Sequence, residues 1–264
     1  MGRIAETFIR LKKEGKTGLI PFLTVGYPDA EATLEMALAL VAGGADVVEL
    51  GIPFSDPLAD GPTIQRASFH ALSQGVTTDV CLETAEGLRR KGVSAPLVFM
   101  GYYNPILAYG LERFVKAASS AGVDGLIVAD LPVEEAAQLR AACLAYGLNL
   151  IAMLAPTSTE ERIARTVKDA SGFVYCVSIA GITGARDDLP PGLGEMIRRV
   201  RKHTALPIAV GFGISKREHV AAVGKEADAA VIGSAIIDLI DRTDPKERIL
   251  RLKEYLEVVT GHGR

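Results

Sequence analysis

Leu19-Ile20-Pro21-Phe22-Leu23-Thr24-Val25-Gly26 is the stretch on which the fold turns. It is short, apolar at odd and even positions alike, and closed by a turn residue. A strand with one wet face alternates, whereas a strand covered on both faces reads as a near-continuous apolar run. The stretch therefore predicts a strand in a parallel sheet with helices packed on it. Working outward, Asp29 is placed to cap a helix carrying Leu34, Leu38 and Val41, which ends at Gly43-Gly44. Before the strand, Gly2 to about Lys13 reads as an amphipathic helix with Ile4, Phe8 and Leu11 on one face.

The same unit recurs along the chain. Further strand-like runs are Asp46–Ile52, Pro96–Tyr102, Gly125–Asp130, Asn149–Leu154, Phe173–Ser178, Pro207–Phe212 and Asp228–Gly233, each followed by a helix-like stretch. A last helix is expected from Asp244 to about Val259, opened by Asp-Pro and closed by Gly261. Strict alternation leaves an open doubly wound sheet or a closed barrel. No Gly-x-Gly-x-x-Gly follows the first run, which removes the dinucleotide signature of the open sheet. Eight units in 264 residues match one α/β (β/α)8 barrel with an extra N-terminal helix, and no low-complexity linker divides residues 1–264.

Bulk chemistry narrows the function classes. A formal net charge of -3 offers no basic stripe for nucleic acid. No apolar run approaches the roughly 18 residues of a membrane span. Arg3, Glu6, Arg10, Lys12 and Lys13 interrupt any signal-peptide core. Cys81, Cys143 and Cys176 are odd in number, far apart and without metal-ligand spacing, which reads as reduced thiols in a cytoplasmic protein.

In such a barrel the chemistry sits at the C-terminal strand ends. In Val47-Val48-Glu49-Leu50-Gly51, a carboxylate stands in a strand buried on both faces. It is either a structural group paired with a basic neighbour or an acid/base whose pKa burial raises. The loop after it, residues 53–62, holds Pro53, Pro57, Asp60 and Pro62. Asp60 is either a helix cap or a second functional carboxylate on the same barrel face as Glu49. Tyr175 alternates with Phe173 and Val177 on the sixth strand, and taken alone it reads as core. The glycine-hinged loop 179–192 reads as a lid, with Arg186 solvated. Gly184, Gly211-Phe212-Gly213-Ile214-Ser215 and Gly233-Ser234-Ala235 are glycine-bearing turns suited to holding a phosphate on backbone amides and a helix N-terminus. His70, His203, His219 and His262 lie in or near helices or the tail, away from strand ends, which argues against a histidine base or metal site.

The run Glu49-Leu50-Gly51-Ile52-Pro53-Phe54-Ser55-Asp56-Pro57-Leu58-Ala59-Asp60-Gly61-Pro62-Thr63-Ile64-Gln65 resembles the signature of the tryptophan synthase alpha subunit family. Pro21–Pro28, Met100–Pro105, Val128–Pro132, Gly181–Arg186 and Gly211–Ser215 extend the resemblance over nearly the whole chain. It implies a TIM barrel that cleaves indole-3-glycerol phosphate to indole and glyceraldehyde 3-phosphate by a retro-aldol step. It further implies that Glu49 shuttles protons, Asp60 stabilises the indole N–H, Tyr175 assists Glu49, and Thr183 on the lid closes onto Asp60. Phe22, Ile64, Met100, Ala129, Met153 and Phe212 would line the indole pocket, with Gly184, Gly213, Gly233 and Ser234 at the phosphate. The family works as an α2β2 complex, so a beta subunit would be the partner and would hold the pyridoxal phosphate, leaving no cofactor or metal here. The 53–60 loop and Tyr103-Asn104-Pro105 would belong to the contact surface. Three other readings stay open on the sequence: a free-standing lyase, another phosphate-binding barrel enzyme, and a non-catalytic regulatory subunit.

Overall fold

The computed structural model describes residues 2–177, 192–211 and 213–261. Helix α1 (Arg3–Glu14) precedes β1 (Gly18–Thr24), α2 (Ala30–Ala42), β2 (Val48–Gly51), α3 (Pro62–Ser73), α4 (Thr78–Arg90) and β3 (Leu97–Gly101). Then come α5 (Tyr103–Tyr109), α6 (Leu111–Ser120), β4 (Gly125–Val128), α7 (Ala137–Ala145), β5 (Asn149–Leu154), α8 (Glu160–Lys168) and β6 (Val174–Val177). The order ends with α9 (Leu193–Arg201), β7 (Ile208–Gly211), α10 (Arg217–Val223), β8 (Ala229–Ile232), α11 (Ser234–Arg242) and α12 (Arg248–Thr260). The eight strands pair in sequence order, all parallel, and β1 closes on β8. This is the expected barrel.

Alternation sends one set of side chains inward. Ile20, Val47, Val98, Ile127, Ile151, Phe173 and Ala209 form the lower inner layers. Below them α1 plugs the barrel with Ile4, Phe8 and Leu11, and the Phe8 ring lies 5.7 Å from that of Phe173. Burying each such side chain contributes about 1.5–3 kcal/mol. Gly18 leaves room for the plug's Leu11, since a Cβ there would stand 2.8 Å from Leu11 Cδ1.

A repeated polar device fixes the strand starts. Asp46, Asp124 and Asp228 each precede a strand and accept the N–H of Leu19, Leu97 and Ile208, at 3.0, 2.8 and 2.7 Å. Each also holds arginine: Arg10 on Asp46, Arg3 and Arg89 on Asp124, and Arg201 on Asp228. A buried strand end is thereby left with satisfied backbone groups.

Some local expectations shift. Asp29 does cap α2, accepting from Ala32 N–H at 2.7 Å. Yet Met36, Ala37 and Leu40 face the core, while Leu34, Leu38 and Val41 are half-buried. The helix is apolar nearly all round because neighbouring helices cover its flanks, so sequence alone does not pick the inner face. The last helix starts at Arg248, because Asp244 and Pro245 form a turn in which Asp244 Oδ1 accepts Lys246 N–H.

Candidate active site

A cavity of about 490 Å³ opens among the C-terminal strand ends. Phe22, Glu49, Asp60, Ile64, Met100, Ala129, Met153, Tyr175, Gly213, Gly233 and Ser234 all line it. Residues separated by most of the chain are thus brought to one place. Thr183, Gly184, Arg186 and Phe212, and the expected lid 179–192 apart from Gly192, lie outside the described residues.

Glu49 projects inward from the middle of β2, in register with Phe22 on one side and Val98 on the other. It is 1% exposed, and neither carboxyl oxygen has a hydrogen-bond partner among the described residues. The structural reading requires a basic neighbour, and none among the described residues reaches it. Burial, with a further contribution from the charge of Asp60, pushes its pKa up to about 8.

Asp60 ends the loop from Ile52. It does not cap α3, whose N-cap is Gly61 with Pro62 at the first helical position. The aspartate side chain turns instead into the cavity. Burial raises its pKa to about 6, opposed by a hydrogen bond that Tyr102 Oη donates to Oδ2 at 3.0 Å. The same Tyr102 oxygen accepts Ala59 N–H at 3.0 Å. Gln65 Nε2 donates to the Asp60 carbonyl at 2.9 Å, and the Phe54 ring lies 5.2 Å from that of Tyr102. Asp60 is therefore held from both sides.

Tyr102 was not anticipated as a site residue. Its signal was present, since it alternates with Val98 and Met100 on the third predicted strand and so faces the barrel mouth. The spacing roles of two glycines are not legible in the sequence, for a different reason. A Cβ at Gly211 would stand 2.3 Å from Tyr175 Oη, and one at Gly51 would stand 2.5 Å from the Phe22 ring. They are read by what they leave room for. Tyr175 itself is buried, and burial beside Glu49 and Asp60 holds its hydroxyl protonated, far above the usual tyrosine range.

The opposite wall suits an anion. Gly213 adopts a positive φ of 35° after β7, and Gly233 caps α11, whose first residue is Ser234. The first amide N–H groups of a helix have no partner within it and carry the positive end of its dipole. Arg162, from α8, also lines the cavity. Among the described residues, no group of three His, Cys, Asp or Glu side chains could hold a metal ion. The arrangement offers proton transfer on one side and anion binding on the other, with an apolar slot between.

Comparison with known proteins gives the family of the chain as a whole. The family model of the tryptophan synthase alpha chain matches residues 8–261. A tryptophan synthase alpha chain from Roseiflexus castenholzii is 52% identical over 261 residues, covering 99% of this chain and 100% of the relative. The crystal structure of the alpha chain from Legionella pneumophila superposes with a TM-score of 0.90 at 36% identity, covering 99% of this chain and 97% of that one. A chain of the tryptophan synthase complex from Pyrococcus furiosus gives a TM-score of 0.86 at 38% identity, with 93% and 99% covered.

Proposed function

We propose, from the premise that this chain belongs to the tryptophan synthase alpha chain family, that Glu49 and Asp60 carry the carbon–carbon cleavage of indole-3-glycerol phosphate. By that membership the chain is a lyase of the tryptophan synthase system. The observation that carries the assignment of roles is that the buried Glu49 carboxyl, without a hydrogen-bond partner among the described residues, shares one cavity with Asp60.

The order of the two pKa values fits the chemistry. Between about pH 6 and about pH 8, Glu49 keeps its proton while Asp60 carries a charge. Glu49 gives its proton to indole C3, which makes the ring cationic, and Asp60 accepts a hydrogen bond from the ring N–H and stabilises that cation. The Glu49 carboxylate so formed takes the proton of the side-chain hydroxyl. As the C3–carbon bond breaks, its electrons return to the ring, releasing indole, and the hydroxyl carbon becomes the aldehyde of glyceraldehyde 3-phosphate. Protons balance over the cycle, and each step is within the reach of a carboxyl group, so the reading needs no cofactor or metal from this chain. Phe22, Ile64, Met100, Ala129, Met153 and Phe212 would enclose the indole. Gly184, Gly213, Gly233 and Ser234 would take the phosphate on backbone N–H groups and a hydroxyl, with Thr183 closing over Asp60.

The partner in this reading is a beta subunit, in an α2β2 complex, which receives indole and holds the pyridoxal phosphate. Support comes from the mouth of the barrel. Leu58 on the 53–62 loop is 91% exposed, and Leu107 on α5 is 47% exposed beside Tyr103-Asn104-Pro105. Apolar side chains left in water next to the cavity are what a docking partner would cover. We read residues 1–264 as one domain, since α1 and α12 both pack on the single barrel. No helix among the described residues is long and apolar enough to cross a membrane. Three buried, unpaired cysteines suit a reducing, cytoplasmic setting.

The test is to follow indole release from indole-3-glycerol phosphate by the purified chain, with and without a beta subunit, beside Glu49→Gln. Slow release alone, stimulation by the partner and loss in the variant are expected. Fast release without stimulation would favour a free-standing lyase, and no release from folded protein would overturn the catalytic roles.

A further inference from the structure

We propose that His219 and Tyr255 form a clamp that positions the turn after β7 for the substrate's phosphate, an inference that rests on reading Gly213 as a phosphate-binding residue. Both polar groups of the Ser215 backbone are held by side chains from outside the turn. Its N–H donates to His219 Nδ1 at 3.2 Å, and its carbonyl accepts from Tyr255 Oη at 3.1 Å. The two side chains come from different elements, α10 and α12. Between Ser215 and Gly213 stands Ile214, which is buried and lines the cavity. The clamp therefore grips the chain two residues beyond the positive-φ glycine.

The donor and acceptor roles follow from the geometry. His219 Nδ1 faces the Ser215 N–H and is the acceptor, and Nε2 is buried in a side chain only 9% exposed. Burial pushes the Tyr255 hydroxyl well above its ordinary value, so it remains a donor. The need for such a clamp is geometric. Backbone amides bind an anion only when their N–H vectors converge on it, and hydrogen bonds weaken steeply with misalignment. No Lys or Arg occurs in the 211–215 turn to compensate for a poorly aimed amide. A plain helix-capping role is the competing account, because His219 reaches back from the first turn of α10 as a capping-box residue does. Capping would affect stability but would not single out phosphate.

The experiment compares the wild-type chain with His219→Leu, His219→Asn and Tyr255→Phe, in complex with a beta subunit. It measures kcat and KM for indole-3-glycerol phosphate and the inhibition constants of inorganic phosphate and of indole. Losing one hydrogen bond of the clamp should raise KM and the phosphate constant roughly fivefold, with kcat changing less and the indole constant holding. His219→Asn, which offers Oδ1 where the ring offered Nδ1, should restore phosphate binding. Unchanged phosphate constants in both His219→Leu and Tyr255→Phe would overturn the clamp. So would parallel weakening of phosphate and indole, or an Asn variant no better than Leu. If wild type is not inhibited by phosphate at all, the phosphate reading of the turn falls first and the clamp falls with it.

Discussion

Replacing Glu49 by glutamine should abolish cleavage and yet make the protein more resistant to alkali than the wild type. The side chain keeps its shape and loses its charge. In the folded wild type the carboxyl has a pKa near 8, against 4.5 for the free group. For an acid with a raised folded pKa, stability is fully present below the unfolded value, where both states hold the proton. It is lost as pH rises, because the unfolded chain releases the proton first, and the loss levels off above the folded value. The gap of about 3.5 units corresponds to about 5 kcal/mol in full, of which about 4 kcal/mol develops between pH 5 and 8.5.

Glutamine cannot ionise, so this slope is absent from the variant. For a chain of this size each kcal/mol moves Tm by roughly 2–4 °C, which gives a divergence on the order of 10 °C. Scanning calorimetry of both proteins at half-unit steps from pH 5 to 8.5 measures it. The buried amide brings an offset of its own, common to all pH values, so the widening and not the absolute difference carries the test. Groups that titrate in both proteins cancel. Parallel Tm curves across this range would refute the reasoning, for they would mean that Glu49 ionises in the folded protein as easily as in water.

The remaining predictions concern activity. The kcat/KM profile should be bell-shaped, with limbs near pH 6 from Asp60 and near pH 8 from Glu49, and a plateau extending below pH 5 would contradict the assigned charge states. Tyr102→Phe removes the donor to Asp60 Oδ2 and the acceptor for Ala59 N–H. It should lower kcat/KM at pH 7 roughly tenfold and move the acid limb upward, since the hydrogen bond that opposes the rise in the Asp60 pKa is gone. Gly211→Ala places a Cβ 2.3 Å from Tyr175 Oη and must displace that ring. A fall in kcat/KM of tenfold or more, with an unchanged far-UV circular dichroism spectrum, is expected from such a displacement, and wild-type kinetics would show that Tyr175 has no positional role.

The barrel was legible because its strands are apolar on both faces, a pattern that only a covered parallel sheet needs. Helix faces were less so: in α2 the apolar residues surround the axis, and only the neighbouring helices decide that Met36 and Leu40 point inward. Glu49 stood out as a charge in a run that must be buried, but whether a cation met it could be learned only from the packing. Asp60 was ambiguous for a similar reason, and Gly61 took the cap position that would have explained it away. Tyr102 looked like the apolar end of a strand, although its alternation with Met100 marked it as facing the mouth. His219 reads as a helix residue far from any strand end. Its contact lies four residues back along the chain, where the start of α10 folds against the β7 turn. Gly51 and Gly211 carry no chemistry of their own, so nothing in their local sequence ties them to Phe22 and Tyr175.

Those glycines explain how a filled barrel comes to contain a reaction chamber. The lower layers are closed by Ile20, Val98, Ile127, Ile151 and Phe173, as in any barrel whose interior is core. One layer up, the inward positions on β2 and β7 are Gly51 and Gly211, and Gly233 stands at the end of β8. The space they free is used in two ways. At Gly51 and Gly211 an added Cβ would collide with Phe22 or Tyr175, so these glycines let large side chains lie across the barrel and wall the cavity. At Gly233 the nearest atoms to an added Cβ are 3.8 Å away, so this glycine leaves the space itself open, beside the start of α11. Glu49 sits where the packed interior meets that space. Dry side chains beneath it supply the desolvation that keeps its proton on, and the cavity above gives the proton somewhere to go. The cost in stability and the capacity for acid–base chemistry are thus one consequence of placing a carboxyl at that boundary.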